Sequence, residues 1–306
     1  MAVPHISTQF GDLLDPRFQK IFYDQYDQLP DMVDDLYAKV SHNGRADMRW
    51  SQVGAFGDWS EFTGTVGYDS VNQGYDTTTT YLEFVSGCQV ERKLFDDDQF
   101  NIMDKRPQGL AIAANRTRQK HAARVLNNMG SVDSYFYVNS EGVALVSDSH
   151  TTNAPGVSTT VGFDNKVTSA LSATALSAAR IQGQKFRDDR GNLLAVNFDE
   201  LWIPIDLYDQ AWEIVNSSGK LDTANNNKNV HEGKYKIKSW NYLTDTNDWS
   251  LQDSTMRKMS LHWVDRVPME FKMAEDIDTL VAKWRGYMRY SMAWTDWRFI
   301  VGAVVS

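Results

Sequence analysis

Alternating polar and apolar residues between positions 48 and 90 predict a long β-hairpin. Thr, Tyr, Phe and Val dominate its second half, as is typical of a strand exposed on part of its surface. Four glycines lie in the middle of the segment, at Gly57, Gly64, Gly67 and Gly74. A ribbon of this length could extend roughly 50 Å at ~3.3 Å per residue. Because an isolated ribbon is marginally stable and the sequence shows no obvious partner sheet, we expect it to lie on a neighbouring copy.

An arm that contains one acidic helix is expected over residues 1–47. Phe18, Ile21, Phe22 and Tyr26 recur at helical spacing and form its apolar stripe. Aspartates cover the outer face, at Asp24, Asp27, Asp31, Asp34 and Asp35. This charged face suits either exposure to solvent or docking onto a basic neighbour.

The longest helix is predicted over residues 107–129, where Pro107 suits a first turn and Gly130 lies just past the end. Small and apolar residues form one narrow stripe along it, at Ala111, Ala114, Ala122, Val125, Leu126 and Met129. Basic residues crowd its middle, at Arg116, Arg118, Lys120, His121 and Arg124. We expect these cations to pair with the arm or with the aspartates at 96–98, because no aromatic or loop pattern supports nucleic-acid binding.

The remaining residues mix both kinds of pattern. Residues 131–259 alternate short strands and helices and include a polar loop, 220–233, with three consecutive asparagines. From residue 260 onward strand patterns return, and the nearly continuous apolar run at 297–305 is typical of a strand held in a sheet core. These patterns together predict an α+β protein.

Composition narrows the class of protein. The 306 residues are 42% hydrophobic, enough for a core, and carry a formal net charge of −9 with a pI near 5.2. An acidic protein has no long-range attraction for phosphate backbones, so we expect no specific nucleic-acid binding. The single Cys88 excludes an internal disulfide framework and a cysteine-based zinc site. No apolar run approaches ~20 residues, so we expect no membrane span.

No catalytic constellation is evident in the sequence. The six histidines are scattered without metal-ligand spacing, and neither a phosphate-binding GxxxxGK[S/T] nor a nucleophile GxSxG motif is present. The aspartates at 96–98 could bind a divalent cation or cap the segment that follows, and capping is favoured. Asp276 and Asp278 form an Asp-x-Asp pair, the only basis for a hydrolase hypothesis. We therefore expect no enzymatic activity, no cofactor and no metal site.

Several long blocks of the chain resemble the Mu-like major head subunits of tailed bacteriophages, and the resemblance covers nearly the whole chain. The blocks are Phe10-Gly-Asp-Leu-Leu-Asp-Pro-Arg-Phe18, Trp50-Ser-Gln-Val-Gly54, Asp58-Trp-Ser-Glu-Phe-Thr-Gly64, Gln73-Gly-Tyr-Asp76, Val90-Glu-Arg-Lys-Leu-Phe-Asp-Asp-Asp98, Arg116-Thr-Arg-Gln-Lys120, Asp222-Thr-Ala-Asn-Asn-Asn227, Asn229-Val-His-Glu-Gly233 and Tyr287-Met-Arg-Tyr290.

The resemblance implies the tailed-phage major capsid fold. In this sequence it implies an N-terminal arm at 1–47 and an extended hairpin loop at 48–90. A peripheral domain would comprise 91–130 and 260–306, with the helix 107–129 as its spine and the C-terminal strands completing its sheet. An axial α/β domain would comprise 131–259, with loop 220–233 nearest the symmetry axis.

The resemblance also implies a function: a subunit of an icosahedral bacteriophage head that forms hexamers and pentamers and encloses double-stranded DNA. The virion would be its location, after assembly in the host cytoplasm. Some relatives join subunits covalently through a lysine of the extended loop, but this chain has no lysine between Lys39 and Lys93, so we expect a noncovalent shell. Because the chain starts almost at the arm, we expect a separate scaffolding protein or none, together with a portal and, as a further candidate, a decoration protein.

The residues expected at contacts between copies are Phe18, Tyr26, Trp50, Trp59, Phe62, Tyr68, Tyr75, Arg116, Arg118, Asn225, Asn226 and Asn227. Two other hypotheses stay open at this point. An encapsulin-like compartment protein would share the fold but enclose a cargo enzyme instead of a genome. A hydrolase centred on Asp276 and Asp278 is the more remote of the two.

Overall fold

The computed structural model describes residues 11–42, 44–59, 61–66, 68–91, 105–219, 228–276 and 281–305. Its helices are α1 (Gly11–Asp27), α2 (Val33–Leu36), α3 (Lys105–Asn127), α4 (Ala173–Gly183), α5 (Tyr208–Asn216) and α6 (Ser254–Ser260). Its strands are β1 (Ala38–Lys39), β2 (Asp47–Val53), β3 (Gln73–Thr80), β4 (Leu82–Glu91), β5 (Tyr137–Asn139), β6 (Lys166–Val167), β7 (Glu200–Ile203), β8 (Lys236–Ser239), β9 (Trp249–Gln252), β10 (Leu261–Asp276), β11 (Val281–Trp294) and β12 (Ile300–Ala303). The α+β expectation is confirmed.

Two long antiparallel strands, β10 and β11, form the centre of a sheet with the order β1-β10-β11-β4. Side chains alternate along β11, so that Trp284 and Met288 are buried while Lys283 and Arg285 face outward. The register between β10 and β11 shifts around Pro268, where a missing backbone N–H is tolerated because the ladder is already irregular. One face of this sheet is therefore apolar and needs a cover.

Helices α1 and α3 supply that cover. Phe18 of α1 meets the ring of Trp284 edge-on at 5.6 Å, and Phe22 stacks on Phe271 of β10 at 4.6 Å. Helix α3 spans 23 residues, about 35 Å at ~1.5 Å per residue. The predicted stripe along it is buried as expected, and its alanines let the helix axis lie close to the strands. The observed helix begins and ends two residues earlier than the predicted 107–129.

A second sheet, with the order β6-β12-β9-β7-β8, forms the core of the remaining chain. All four residues of β7, β9 and β12 are buried, because α4 and α5 pack against this sheet. Ser172 caps α4 by accepting a hydrogen bond from the Ala175 amide. The described residues therefore form a small core under α1 and a large core that joins most of α3 to this second sheet.

The C-terminal strand β12 differs from the expectation for the tail. It pairs antiparallel with β9 and parallel with β6, not with β10 or β11. Glycine at position 302 lets β12 lie close to Val146 in this sheet, because an added Cβ there would collide with the Val146 side chain. The tail from 260 onward thus contributes β10 and β11 to one sheet and β12 to the other.

A third sheet, with the order β2-β3-β5, contains the hairpin. Strands β2 and β3 pair from Asp47↔Thr80 to Val53↔Gln73, about 25 Å at ~3.3 Å per residue. The expectation of one continuous ribbon over 48–90 is wrong, because β4 leaves the hairpin and pairs with β11. The hairpin also has a partner within the subunit, since β5 pairs with β3. The connection between β2 and β3 is not part of this sheet, and its described residues form no regular strand.

A buried ion pair joins the arm to the second sheet. Arg257 of α6 is 1% exposed, and its Nη1 donates to Glu200 Oε2 at 2.5 Å and to Gln252 Oε1 at 3.0 Å. Its Nη2 donates to the backbone carbonyl of Asp35 at 2.9 Å, and its guanidinium lies 5.2 Å from the Trp202 ring. Because several partners converge on one buried cation, removing it leaves the Glu200 carboxylate without its charge partner.

Arg257→Ala is expected to lower the free energy of unfolding of the unassembled subunit by about 3–5 kcal/mol, because it leaves a buried carboxylate unpaired. Urea unfolding followed by tryptophan fluorescence measures this change. Arg49→Ala is the control, since Arg49 pairs with Asp47 at 3.0 Å in an exposed position, where such a pair contributes at most about 1 kcal/mol. Equal losses in the two variants would contradict a special role for the buried pair.

Candidate assembly surface

The connection between β2 and β3 carries a cluster of large apolar side chains in contact with solvent. Trp59 is 98% exposed and Tyr68 is 95% exposed. Others in the same segment are also exposed, at Phe56, Phe62 and Val66, as is Val53 at the end of β2. We call residues 54–72 the extended loop. Isolated exposed apolar residues are normal, but a cluster of this size in one loop marks a contact surface.

Charge distinguishes this loop from the rest of the surface. No lysine or arginine occurs from Trp50 to Glu91, while Asp58 and Glu61 directly precede Trp59 and Phe62 in the sequence. The loop therefore combines exposed apolar side chains with negative charge. A surface that receives it must offer apolar area and must not be strongly acidic, because like charges across an interface are unfavourable.

The base of the hairpin is anchored to its own subunit. The Trp50 ring stacks on the His262 ring at 5.2 Å, and the Tyr75 hydroxyl lies 2.6 Å from Thr151 Oγ1. The Gln52 side-chain amide donates to the carbonyl of Thr295. Trp50 and Tyr75, two of the sequence-predicted contact residues, are thus used inside the subunit to hold the hairpin. Trp59, Phe62 and Tyr68 are the ones that stay exposed, in the same connection between β2 and β3.

Two arm residues predicted at contacts also have partners within the subunit. Phe18 is 2% exposed beneath α1, against Trp284. Tyr26 is partly buried, stacks on Phe22, and its hydroxyl oxygen accepts a hydrogen bond from Arg118 Nη1 at 3.4 Å. Phe18 is therefore taken up by the core of its own subunit, while contact of the partly exposed Tyr26 with a second copy stays a prediction.

The basic residues on α3 also fall into two groups, those paired within the subunit and those left exposed. Arg118 lies 3.4 Å from Asp31 and 3.6 Å from Asp265, with its guanidinium 5.3 Å from the Trp263 ring. The expected pairing with arm aspartates is therefore present, and it occurs within one subunit. Arg116 is exposed on the helix surface, where contact with a neighbour stays a prediction.

His121, in the same cluster, is enclosed by aromatic rings. Its Nδ1 lies 2.7 Å from the Tyr290 hydroxyl, and the Phe84 and Phe136 rings lie 4.6 and 5.4 Å away. Burial, together with the nearby Arg124 cation, lowers the pKa of His121 to about 4. The ring is therefore neutral in the folded subunit at physiological pH.

Asparagines 225–227 and the aspartates at 96–98 lie outside the described residues, as does Asp278. In the part of the chain that is described, no group of three or more histidine, cysteine or acidic side chains could hold a metal ion. Among the same residues, no helix has the length and apolarity needed to cross a membrane.

Sequence reasoning missed two features of this surface. Phe56 and Val66 belong to the exposed cluster, and their position among glycines in a segment without lysine or arginine was an available signal. The turn at 188–192 contacts the base of the extended loop. No local sequence pattern predicts that contact, because the two segments lie about 120 residues apart.

The fold itself is that of tailed-phage shell proteins. The structure is similar to the bacteriophage PhiM1 mature capsid, with a TM-score of 0.59 and 10% identity over 91% of this chain and 88% of that one. It is also similar to the procapsid of bacteriophage JBD30, with a TM-score of 0.56 and 14% identity over 98% and 76% of the two chains. A virus-like particle from Pyrococcus furiosus matches with a TM-score of 0.53 and 10% identity over 95% and 99%.

A family model described as phage capsid protein matches residues 83–303, well over half of the chain, and the chain belongs to that family. The protein is a structural subunit of a phage head, and not an enzyme. A search of curated protein sequences finds no match. Because phage heads and the Pyrococcus particle share one fold, it is the family match that disfavours the encapsulin-like hypothesis. The Mu-like subfamily stays a prediction.

His121→Gln is expected to flatten the pH dependence of subunit stability between about pH 6.5 and 4. The folded pKa lies below that of the unfolded chain, so the unfolded chain binds the proton first as pH falls. The contribution of the neutral His121 ring to the free energy of unfolding is fully present above pH 6.5. It is lost on acidification, with a slope of at most about 1.4 kcal/mol per pH unit. Urea unfolding at a series of pH values measures it.

The parent protein, measured over the same pH series, provides the reference slope. If His121→Gln and the parent protein show the same slope of unfolding free energy against pH, the conclusion that the partly buried His121 ring is neutral in the folded subunit is wrong.

Proposed function

We propose that the aromatic tip of the extended loop, formed by Trp59, Phe62 and Tyr68, packs onto an adjacent copy and holds the hexamers and pentamers of an icosahedral head together without covalent bonds. The observation that supports this most is the near-complete exposure of Trp59 in a subunit whose other large aromatic residues are mostly buried. Double-stranded DNA would occupy the enclosed space.

The energy available from such a contact is sufficient. Burial of one Trp or Phe side chain contributes about 1.5–3 kcal/mol, and the tip offers several such side chains. A subunit in a closed shell both gives its loop to one neighbour and receives the loop of another. Contacts that are modest one at a time therefore become cooperative once the shell closes.

The domain assignment belongs to the same proposal. The sheet containing β10 and β11, with α1 and α3, would form the peripheral domain, and the sheet containing β7 and β9 the axial domain. The polar loop beyond α5 would lie at the symmetry axis. The described residues on its two sides are held together: Gly219 and Lys228 form an isolated bridge, and the Asn229 side-chain amide donates to the Ile214 and Ser217 carbonyls at 2.6 and 2.8 Å.

The partners follow from the same proposal. The net charge of −9 disfavours tight binding of the enclosed DNA, which would let the genome enter without being held by the shell. A portal, a scaffolding protein and a decoration protein stay predicted partners. The proposal assigns none of them to a particular surface.

Trp59→Ala should prevent shell formation or raise the protein concentration needed for it by about tenfold or more, because the contact loses the burial of one large aromatic side chain. Light scattering and electron microscopy of the assembling protein measure this. The monomer should unfold at the same urea concentration as the parent, since Trp59 contacts almost nothing in the subunit. Trp212→Ala is the matched control, because Trp212 is also exposed, at 52%, but lies on α5. Equal assembly defects in both variants would contradict the assignment of the intersubunit contact to the extended loop.

A noncovalent shell should dissociate completely in detergent. After boiling in reducing denaturing buffer, mature particles should give one capsid band near 34.8 kDa, because the extended loop contains no lysine to form a cross-link. A ladder of bands at multiples of that mass would show covalent joining. Particles treated with an amine-reactive cross-linker provide the positive control for the ladder.

A further inference from the structure

We propose that the turn at residues 188–192 is a clamp that positions the extended loop for assembly, with Asp189 and Arg190 as its two positioning residues. The inference rests on the proposed function of the loop tip and adds how that tip is held. The clamp grips both limbs of the loop at once, one leading to the tip and one returning from it.

The contacts to the two limbs are specific. On the outgoing limb, the Ala55 amide donates to Asp189 Oδ1 at 2.8 Å. On the returning limb, Arg190 donates from Nη1 and Nη2 to the two carboxylate oxygens of Asp69, at 2.6 and 3.0 Å, and also from Nη2 to the Ser70 carbonyl. A planar guanidinium that binds a carboxylate with two parallel bonds fixes orientation as well as distance.

The Asp69 carboxylate also joins the two limbs to each other. Its Oδ2 accepts a hydrogen bond from the Gly57 amide at 2.9 Å. This amide and the Arg190 guanidinium hold the pKa of Asp69 below its ordinary value, so the carboxylate is ionised at neutral pH. Residues on either side of the aromatic tip are thereby tied to one point on the subunit surface.

The turn that carries the clamp is itself well fixed. The Asp188 carboxylate accepts hydrogen bonds from the Arg190 and Asn192 amides at 2.8 Å each. Gly191 has φ +89°, which favours glycine at this position. The turn closes a short antiparallel bridge between Arg187 and Leu193, and Arg298 Nε donates to the Arg187 carbonyl at 2.6 Å. A group presented by a fixed element positions its partner more accurately than one on a loose loop.

The outgoing limb also fits closely against the turn. Gly54 lies so near Asp189 and Asn72 that an added Cβ would collide with the Asp189 carboxylate and the Asn72 carbonyl oxygen. The backbone approach at this position therefore depends on the absence of a side chain. An exposed ion pair alone usually contributes little, but here the pair is part of a set of contacts on both limbs. Its effect is to reduce the number of orientations that the tip samples before it meets a neighbour.

Hydrogen exchange of the unassembled subunit tests the clamp directly. In Arg190→Ala, the amides of Ala55 and Gly57 should exchange at least about threefold faster, and the concentration needed for assembly should rise about twofold to fivefold. Arg190→Lys keeps the charge but cannot form the paired bonds, so its effects should be intermediate. Arg49→Ala, which removes an exposed pair at the base of the hairpin, should change neither quantity.

The outcomes separate the clamp from the function of the tip. Unchanged exchange in Arg190→Ala, or faster exchange with unchanged assembly, would overturn the clamp, while a Trp59→Ala assembly defect would still support the proposed function. Normal assembly of Trp59→Ala would overturn the proposed function, and the assembly role of the clamp with it. An unfolding midpoint of Arg190→Ala close to that of the parent shows that both effects arise in the loop.

Discussion

The antiparallel pairing of β10 with β11 is the interaction on which the rest of the structure depends. Its apolar face is covered by α1 and α3 through Phe22, Trp284 and their neighbours. Its outer strands are β4, which follows the hairpin, and β1, which belongs to the arm. Trp263 and Trp294, at the other end of the pair, belong to the large core shared with the second sheet. The arm, the hairpin and the second sheet thus all take their positions from one pair of strands.

This arrangement separates the part of the chain that stabilises the subunit from the part left for contacts. Trp202, Trp249, Trp263, Trp294 and Trp297 are fully buried, whereas Trp59 and its aromatic neighbours stay in solvent. A side chain that is exposed in the monomer adds nothing to the stability of the monomer, so its burial on assembly is available in full to the shell. The subunit can then fold alone and still gain free energy of burial when it associates.

The helices could be predicted from sequence because their information is local. The stripe on α3 and the Ser172 cap depend on residues three or four positions apart. The sheet partners could not be predicted in the same way. Strand β3 pairs with β5 about 60 residues later, and β12 inserts beside β9 although its apolar run would fit any sheet core. The candidate site shows the same limit, since the exposed aromatic residues were recognised but the partners of Phe18, Arg118 and Arg190 lie on distant segments.

A closed shell places opposing demands on its contact loop. A loop that is too free would lose entropy with every contact it forms, at about 1–2 kcal/mol for each residue that becomes ordered. A loop packed against its own subunit would bury the aromatic side chains that a neighbour needs. The described contacts meet both demands, because they restrain the limbs near Ala55 and Asp69 while Trp59 and Tyr68 stay exposed. Order is concentrated at the base of the loop, and the apolar surface is kept at its tip.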